Sequence, residues 1–191
     1  MINKIFLLIF VSMTIAMSAQ EPLKVGDSYL KILGTSNMYD WKLEVDLNQI
    51  ELEEITFQNK LLTSIELKIP VVSLNKPKYL GQKKINRALE AKEFPFLKVM
   101  MDECFIKNDS IYCDNALYTI GGVQRKLPFK SSYELVNNNY VLLSGEQKIA
   151  MDHFDVQPPT GMFGFMNTGN EVLVKFHFFF LLKNENIVKI K

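Results

Sequence analysis

Few residues in this chain have the type and spacing to do chemistry. Its 191 residues hold two histidines, His153 and His177, and two cysteines, Cys104 and Cys113. Two histidines are too few for a histidine-rich zinc site, and they lack the His-Glu-x-x-His spacing of a metalloprotease helix. His153 lies beside Asp152 and Asp155, a set that reads more simply as the polar surface of a loop. No Gly-x-Ser-x-Gly elbow, phosphate loop or dinucleotide fingerprint occurs. Gly34-Thr35-Ser36 and Gly121-Gly122 read as turns, and Glu51, Glu53 and Glu54 as a solvated strand edge. Cys104 has no base near it in sequence. A hydrolase or isomerase acting on lipid therefore has no legible constellation. We assign no catalytic residue, no metal ligand and no cofactor, and read the chain as a non-enzyme.

The cysteines have a structural use instead. With Asn108-Asp109 as a two-residue hairpin turn, residues equidistant from it face one another, which sets Cys104 opposite Cys113. Lys107 and Ser110 then form a hydrogen-bonded pair, so the cysteines fall on a non-hydrogen-bonded one, with Cα atoms about 4.5 Å apart. That is within reach of a disulfide, and closing so short a loop stabilises by roughly 2 kcal/mol. Two free thiols are the alternative.

The elements that carry these residues come next. Residues 1–19 have the three parts of a secretory signal peptide: Lys4, an apolar run from Ile5 to Met17, and small residues at Ala16, Ser18 and Ala19. The run is shorter than the ~20 residues a membrane helix needs, so stable membrane insertion is not expected. No cysteine follows the exit, which argues against a lipid anchor. The expected domain is therefore 20–191, periplasmic or secreted, where a disulfide persists. The whole chain carries a net charge of +1, and losing Lys4 brings the balance to zero. A neutral chain is a poor match for nucleic acid, which draws a basic excess. A composition of 48% hydrophobic and 23% charged residues excludes intrinsic disorder.

Much of the chain alternates with period two. Leu43, Val45 and Leu47 interleave with Lys42, Glu44 and Asp46, and Ile65, Leu67 and Ile69 with Ser64, Glu66 and Lys68. Such alternation sends one set to a core and the other to water. Similar runs fall near 28–34, 50–58, 97–106, 110–120, 127–136, 140–150 and 171–183, joined by short turns that imply antiparallel hairpins. Residues 79–92 instead carry Leu80, Ile85, Ala88 and Leu89 at helical spacing, one amphipathic helix stopped by Pro95. About eight long strands and one helix predict an all-β fold, an extended antiparallel barrel rather than a sandwich, since a barrel removes exposed edges. On the last strand Val172, Val174, Phe176, Phe178, Phe180 and Leu182 share one face, which looks onto either a dry cavity or a packed aromatic core. Leu173, Phe179 and Leu181 on the other face fit a homodimer contact or a cover by helix or loop. Before that strand, residues 152–170 form a long Pro/Gly loop whose Met162, Phe163, Phe165 and Met166 are too apolar for water and must fold over something.

This loop, Pro158-Pro159-Thr160-Gly161-Met162-Phe163-Gly164 followed by Thr168-Gly169 and an apolar strand, resembles the YceI-like family. The resemblance extends to Gly34-Thr35-Ser36-Asn37-Met38-Tyr39-Asp40-Trp41, Ile69-Pro70-Val71-Val72-Ser73-Leu74, Arg87-Ala88-Leu89-Glu90-Ala91-Lys92, Phe94-Pro95 and Tyr118-Thr119-Ile120-Gly121-Gly122-Val123. Together these cover essentially the whole chain after the leader. Three departures stand out: Tyr39 where many members have His, Gly161 where Ala is common, and Phe165-Met166 in place of smaller residues. The resemblance implies a lipocalin-like barrel that holds a long apolar molecule, a polyisoprenoid or fatty-acid derivative. Trp41, Phe176, Phe178 and Phe180 are the expected lining, and Met162, Phe163 and Phe165 the expected cover. A ligand-free envelope protein whose barrel is filled by its own side chains is the alternative.

Overall fold

The structure, a computed structural model, describes residues 28–52, 55–58, 61–75, 81–136, 140–161, 165–183 and 186–190. The leader expected at 1–19 lies outside them. Among the described residues, thirteen strands form one sheet. The first are β1 (Tyr29–Ser36), β2 (Trp41–Val45), β3 (Glu51–Leu52), β4 (Ile55–Gln58), β5 (Leu61–Pro70) and β6 (Leu74–Asn75). The one α-helix among the described residues, α1 (Gln82–Ala88), follows, then the long strands β7 (Phe96–Lys107), β8 (Ser110–Ile120), β9 (Val123–Val136) and β10 (Tyr140–Ala150). The last are β11 (Thr160–Gly161), β12 (Met166–Lys183) and β13 (Asn186–Ile190).

Every pairing in the sheet is antiparallel, in the order β10-β9-β8-β7-β5-β4-β13-β12-β1-β2-β6. Strand β12 also pairs with β10, from Glu171↔Ala150 to Leu181↔Tyr140, so the order returns to its start and the sheet curls on itself. The other edge of β12 is shared, its first part with β1 and its last residues with β13. The fold is thus the all-β antiparallel architecture that the alternation predicts, with the lipocalin-like form that the resemblance implies.

Local chemistry sets the joints. Asn108 and Asp109 both have positive φ, at 48° and 53°, the two-residue turn geometry that matches strand twist, and Lys107 pairs with Ser110 across it. Gly121 and Gly122 make the same kind of turn between β8 and β9, with Ile120 paired to Val123. At 46–49, Asp46 accepts hydrogen bonds from the side chain of Gln49 and the backbone of Asn48, which hold its carboxyl below the usual range.

Two expected boundaries move. Of the helix predicted over 79–92, residues 79 and 80 lie outside the described residues, and the described part is helical from Gln82 to Ala88. Glu90 turns left-handed at φ 48°, and Ala91, Glu93 and Phe94 continue as hydrogen-bonded turns. The predicted loop 152–170 shrinks because β12 begins at Met166. Asn167 pairs with Thr160 of β11, and its carbonyl accepts from the Asn37 amide, which extends the ladder five residues upstream of 171. A short 3₁₀ turn, Met151–Phe154, occupies the start of the loop.

Candidate functional site

The inward faces of β1, β2, β5, β7, β8, β10 and β12 enclose an apolar cavity of about 200 Å³. Leu30, Leu43, Ile65, Leu67, Met101 and Leu143 form much of its wall. Trp41, Phe176, Phe178 and Phe180 all line it and are all buried. Phe129, Phe176, Phe178 and Phe180 make a continuous ladder of rings, with successive centroids 5.6, 5.8 and 5.6 Å apart. These spacings are those of favourable aromatic pairs.

Two glycines keep the largest rings out of the bore. Gly145 pairs with Phe176 across β10 and β12, and a Cβ there would sit 2.7 Å from Phe176 Cζ. The ring therefore lies flat on the glycine backbone. Gly34 and Trp41 repeat the arrangement on β1 and β2, with the indole over the glycine and its Nε1–H donating to Thr35 O at 3.2 Å. The alternation pattern named the aromatics but not their posture, which depends on cross-strand register.

Over one end the described residues supply cover from two further segments. Ile85, Ala88 and Leu89 from the helical segment, with Phe154, Val156 and Pro159 from the start of the loop, line the cavity there. Phe154 is 1% exposed, held by a turn in which the Val156 amide donates to Met151 O. Sequence reasoning passed over this pair, although an apolar Phe154 and Val156 inside a polar run is a readable signal. Phe165 is not in the lining: it is 78% exposed. Asn37 clasps its backbone from the neighbouring loop, donating to Phe165 O at 2.9 Å and accepting from the Asn167 amide. Met162 and Phe163 lie outside the described residues.

Polar chemistry at the cavity is sparse. Among the described residues, Tyr118, Lys98 and Gln147 are the polar members of the lining besides Trp41, and the sequence alone assigns none of the three to a site. Tyr118 is 4% exposed, and burial pushes its phenol pKa well up. The Gln147 amide donates to Lys148 O.

Beyond the ladder of rings, several of the described inward side chains are fully buried. Cys104 and Cys113 are joined in a disulfide with Cα atoms 4.5 Å apart. Cys104, Ile111 and Val141 are each 0% exposed. At this level β7 and β8 each carry an extra residue. Inward positions run Met101 then Cys104 in one, and Cys113 then Ala116 in the other, and Glu103 has a positive φ of 55°. Because both strands slip together, Met100↔Leu117 and Phe105↔Tyr112 stay in register on either side. At this level the β8–β9 ladder shows a shift, between Cys113 and Ala116.

The histidines stand apart from the cavity. His153 is on an exposed turn. His177 is on the outer face, its Nδ1 2.6 Å from Ser144 Oγ and its ring between Tyr29 and Phe179. Among the described residues no three His, Cys, Asp or Glu side chains gather as a metal site, and no helix is long and apolar enough to cross a membrane. On the outer face Phe179 is buried within the single chain, its amide donating to Ser28 Oγ at 2.9 Å. Leu173 stays partly open beside its cross-strand neighbour Leu33.

No family model and no curated sequence relative matches the chain. Solved structures do. Burkholderia cenocepacia BcnA is 14% identical, with a TM-score of 0.61 over 82% of this chain and 98% of that one. A polyisoprenoid binding domain from Saccharophagus degradans, implicated in plant cell wall breakdown, is 12% identical, with a TM-score of 0.61 over 82% and 94%. The Campylobacter jejuni YCEI protein is 15% identical, with a TM-score of 0.55 over 73% and 84%. At such low identity the likeness speaks for architecture alone, and the chain shares the YceI-like fold.

Proposed function

We propose that this protein is an exported carrier that holds a long apolar molecule, a polyisoprenoid or fatty-acyl lipid, inside its barrel for transport, storage or envelope protection. The observation that carries the reading is the cavity of about 200 Å³ walled almost wholly by hydrocarbon. A dry apolar space of that size gains free energy when filled, at about 0.8 kcal/mol per buried methylene, and water finds no partners there. The leader read at residues 1–19 supports a carrier in the periplasm or outside the cell, a setting that suits the Cys104–Cys113 bridge. The likeness to a polyisoprenoid binding domain supports the ligand class.

A second reading, a ligand-free envelope protein, draws on the self-filled half around Ile111 and Val141. Native mass spectrometry with lipid extraction, on protein purified from its own envelope, separates the two. The carrier reading expects a co-purifying lipid of one mass class. Lipid-free protein that also refuses acyl and prenyl probes would sink it.

A further inference from the structure

We propose that the lipid carries an acidic head group, a carboxylate or a phosphate, and that this head rests in a slit between β9 and β10 with Arg125 as its counter-ion. This rests on the carrier reading above and names the end of the ligand that the reading leaves open.

The slit follows from register. Strands β9 and β10 pair from Val136↔Tyr140 to Ser132↔Ser144, and there the ladder ends. Residues 123–131 of β9 and 145–150 of β10 run on, held from behind by β8 and β12 but not by each other. Both are finished as free edges. Ile120 and Val123 close a two-residue turn as a hydrogen-bonded pair, so alternation turns the backbone polar groups of Gln124, Lys126 and Pro128 away from β8. Pro128 has no N–H to offer there, and such an edge is where a strand tolerates proline. Gln124 O is taken by Arg125 Nη1 of its own strand, at 2.9 Å. By alternation Lys148 O of β10 faces the same way as Ser144 O, which accepts from Ser132 Oγ of β9. It too is taken within its own strand, by the Gln147 side-chain amide at 3.1 Å. Above, Val156 packs beside Gly121 and closes that end of the slit.

Arg125 stands on the inner side of this slit. Its cross-strand partner is Tyr118, a buried residue of the cavity wall, and partners across a ladder share a face. Its neighbours on that face of β9, Val123 and Leu127, pack against the core. Arg125 alone of the three is exposed, an inward position left open because no strand covers it from the β10 side. Among the described residues no carboxylate pairs with it, and Gln124 O is the acceptor it has. The β10 side brings no competing charge, since Glu146 and Lys148 are paired with Lys175 and Glu171. A guanidinium presents five N–H donors in a fork that fits a carboxylate or a phosphate two bonds at a time. With an acidic head there, the chain passes Tyr118 and Phe129, both in the cavity wall, and meets the ladder of rings. The head alone is read at the slit, so fatty-acyl and polyisoprenoid tails are both served.

The test pairs lipids that differ only in the head: hexadecanoic acid against hexadecanol, and a polyprenyl phosphate against its polyprenol. Each displaces an uncharged fluorescent probe from delipidated protein. The acidic member of each pair is expected to bind about ten-fold tighter, with a gap that narrows as salt rises. Arg125→Gln should close the gap and leave both alcohols unchanged. Arg125→Lys should restore part of it, since an ammonium keeps the charge without the fork. Lys126→Gln, one residue on and exposed on the outer face, should keep the gap whole. Inorganic phosphate, compared at matched ionic strength, should leave the gap as it is. Cooperative melting of each variant shows that it folds. An acid and an alcohol that bind alike to the parent overturn the assignment, as does a folded Arg125→Gln variant that keeps the gap or weakens both members equally. A gap closed by inorganic phosphate means that a free anion holds the site, and overturns it too. In these cases the carrier reading stands. Failure of every lipid to bind overturns both.

Discussion

Two halves of one barrel, built on the same strands, pack in different ways. Near the roof, Trp41, Ile149, Phe154 and Val172 face free volume. Near the floor, Cys104, Ile111 and Val141 are fully buried. The inward residues are equally apolar in both halves, so hydrophobicity does not separate them. Shape does. In the hollow half the largest rings lie back on glycine, Trp41 on Gly34 and Phe176 on Gly145, and leave the bore open. In the filled half branched aliphatics and a disulfide stand where β7 and β8 bulge together, and bulges sharpen the local twist. A barrel stays hollow where its bulk is laid against the wall.

The contrast is most sharply tested by making a like truncation on each side. Ile111→Ala removes a side chain surrounded on all sides, and the loss is expected near 3–4 kcal/mol, transfer and cavity terms together. Ile149→Ala removes one that already borders empty space and so has fewer contacts to lose. We expect about half the cost. Urea midpoints at unchanged slope give both numbers. Equal losses would mean that the two halves are packed alike.

Next in size is the bridge. Cys104→Ala with Cys113→Ala releases a short loop and is expected to cost about 2–3 kcal/mol. For a chain of this length that is a fall of about 5–10 °C in Tm. The loss belongs to the filled half, so occupancy by a bound acyl probe should add the same stabilisation before and after the change. If the double variant instead melts at the parent temperature, the floor is held by aliphatic packing alone.

Legibility in the sequence follows the same division. The hairpin at Asn108-Asp109 and the facing cysteines could be read because both depend on short-range turn geometry. The simultaneous bulges left that reading intact, since each strand gained one residue. The aromatic face of β12 could be read from alternation. Hollow versus filled could not, because it turns on Gly145 standing opposite Phe176, a contact between residues 31 positions apart in sequence. The early start of β12 was hidden for a related reason. It is drawn into the ladder by Asn37, far upstream, and the same clasp turns Phe165 outward.

The smallest effect at neutral pH distinguishes the halves by polarity. Tyr118 puts a phenol on the wall of the hollow half, and burial raises its pKa. The unfolded chain ionises near the ordinary value of about 10, while the folded one holds its proton. Above that pH the unfolded state therefore binds fewer protons, and stability falls as pH rises, by up to about 1.4 kcal/mol per pH unit for this one group. Below it the contribution is flat. Tyr118→Phe should leave the urea midpoint nearly unchanged at pH 7 and flatten its decline between about pH 10 and 11. The part of the decline that Tyr133 contributes should remain, since its phenol is also raised by burial. A bound acyl chain deepens the burial of Tyr118 and should steepen the alkaline loss in the parent but not in the variant. If ligand leaves the parent's pH profile where it was, Tyr118 does not meet the chain, and the bore runs along the opposite wall of the barrel.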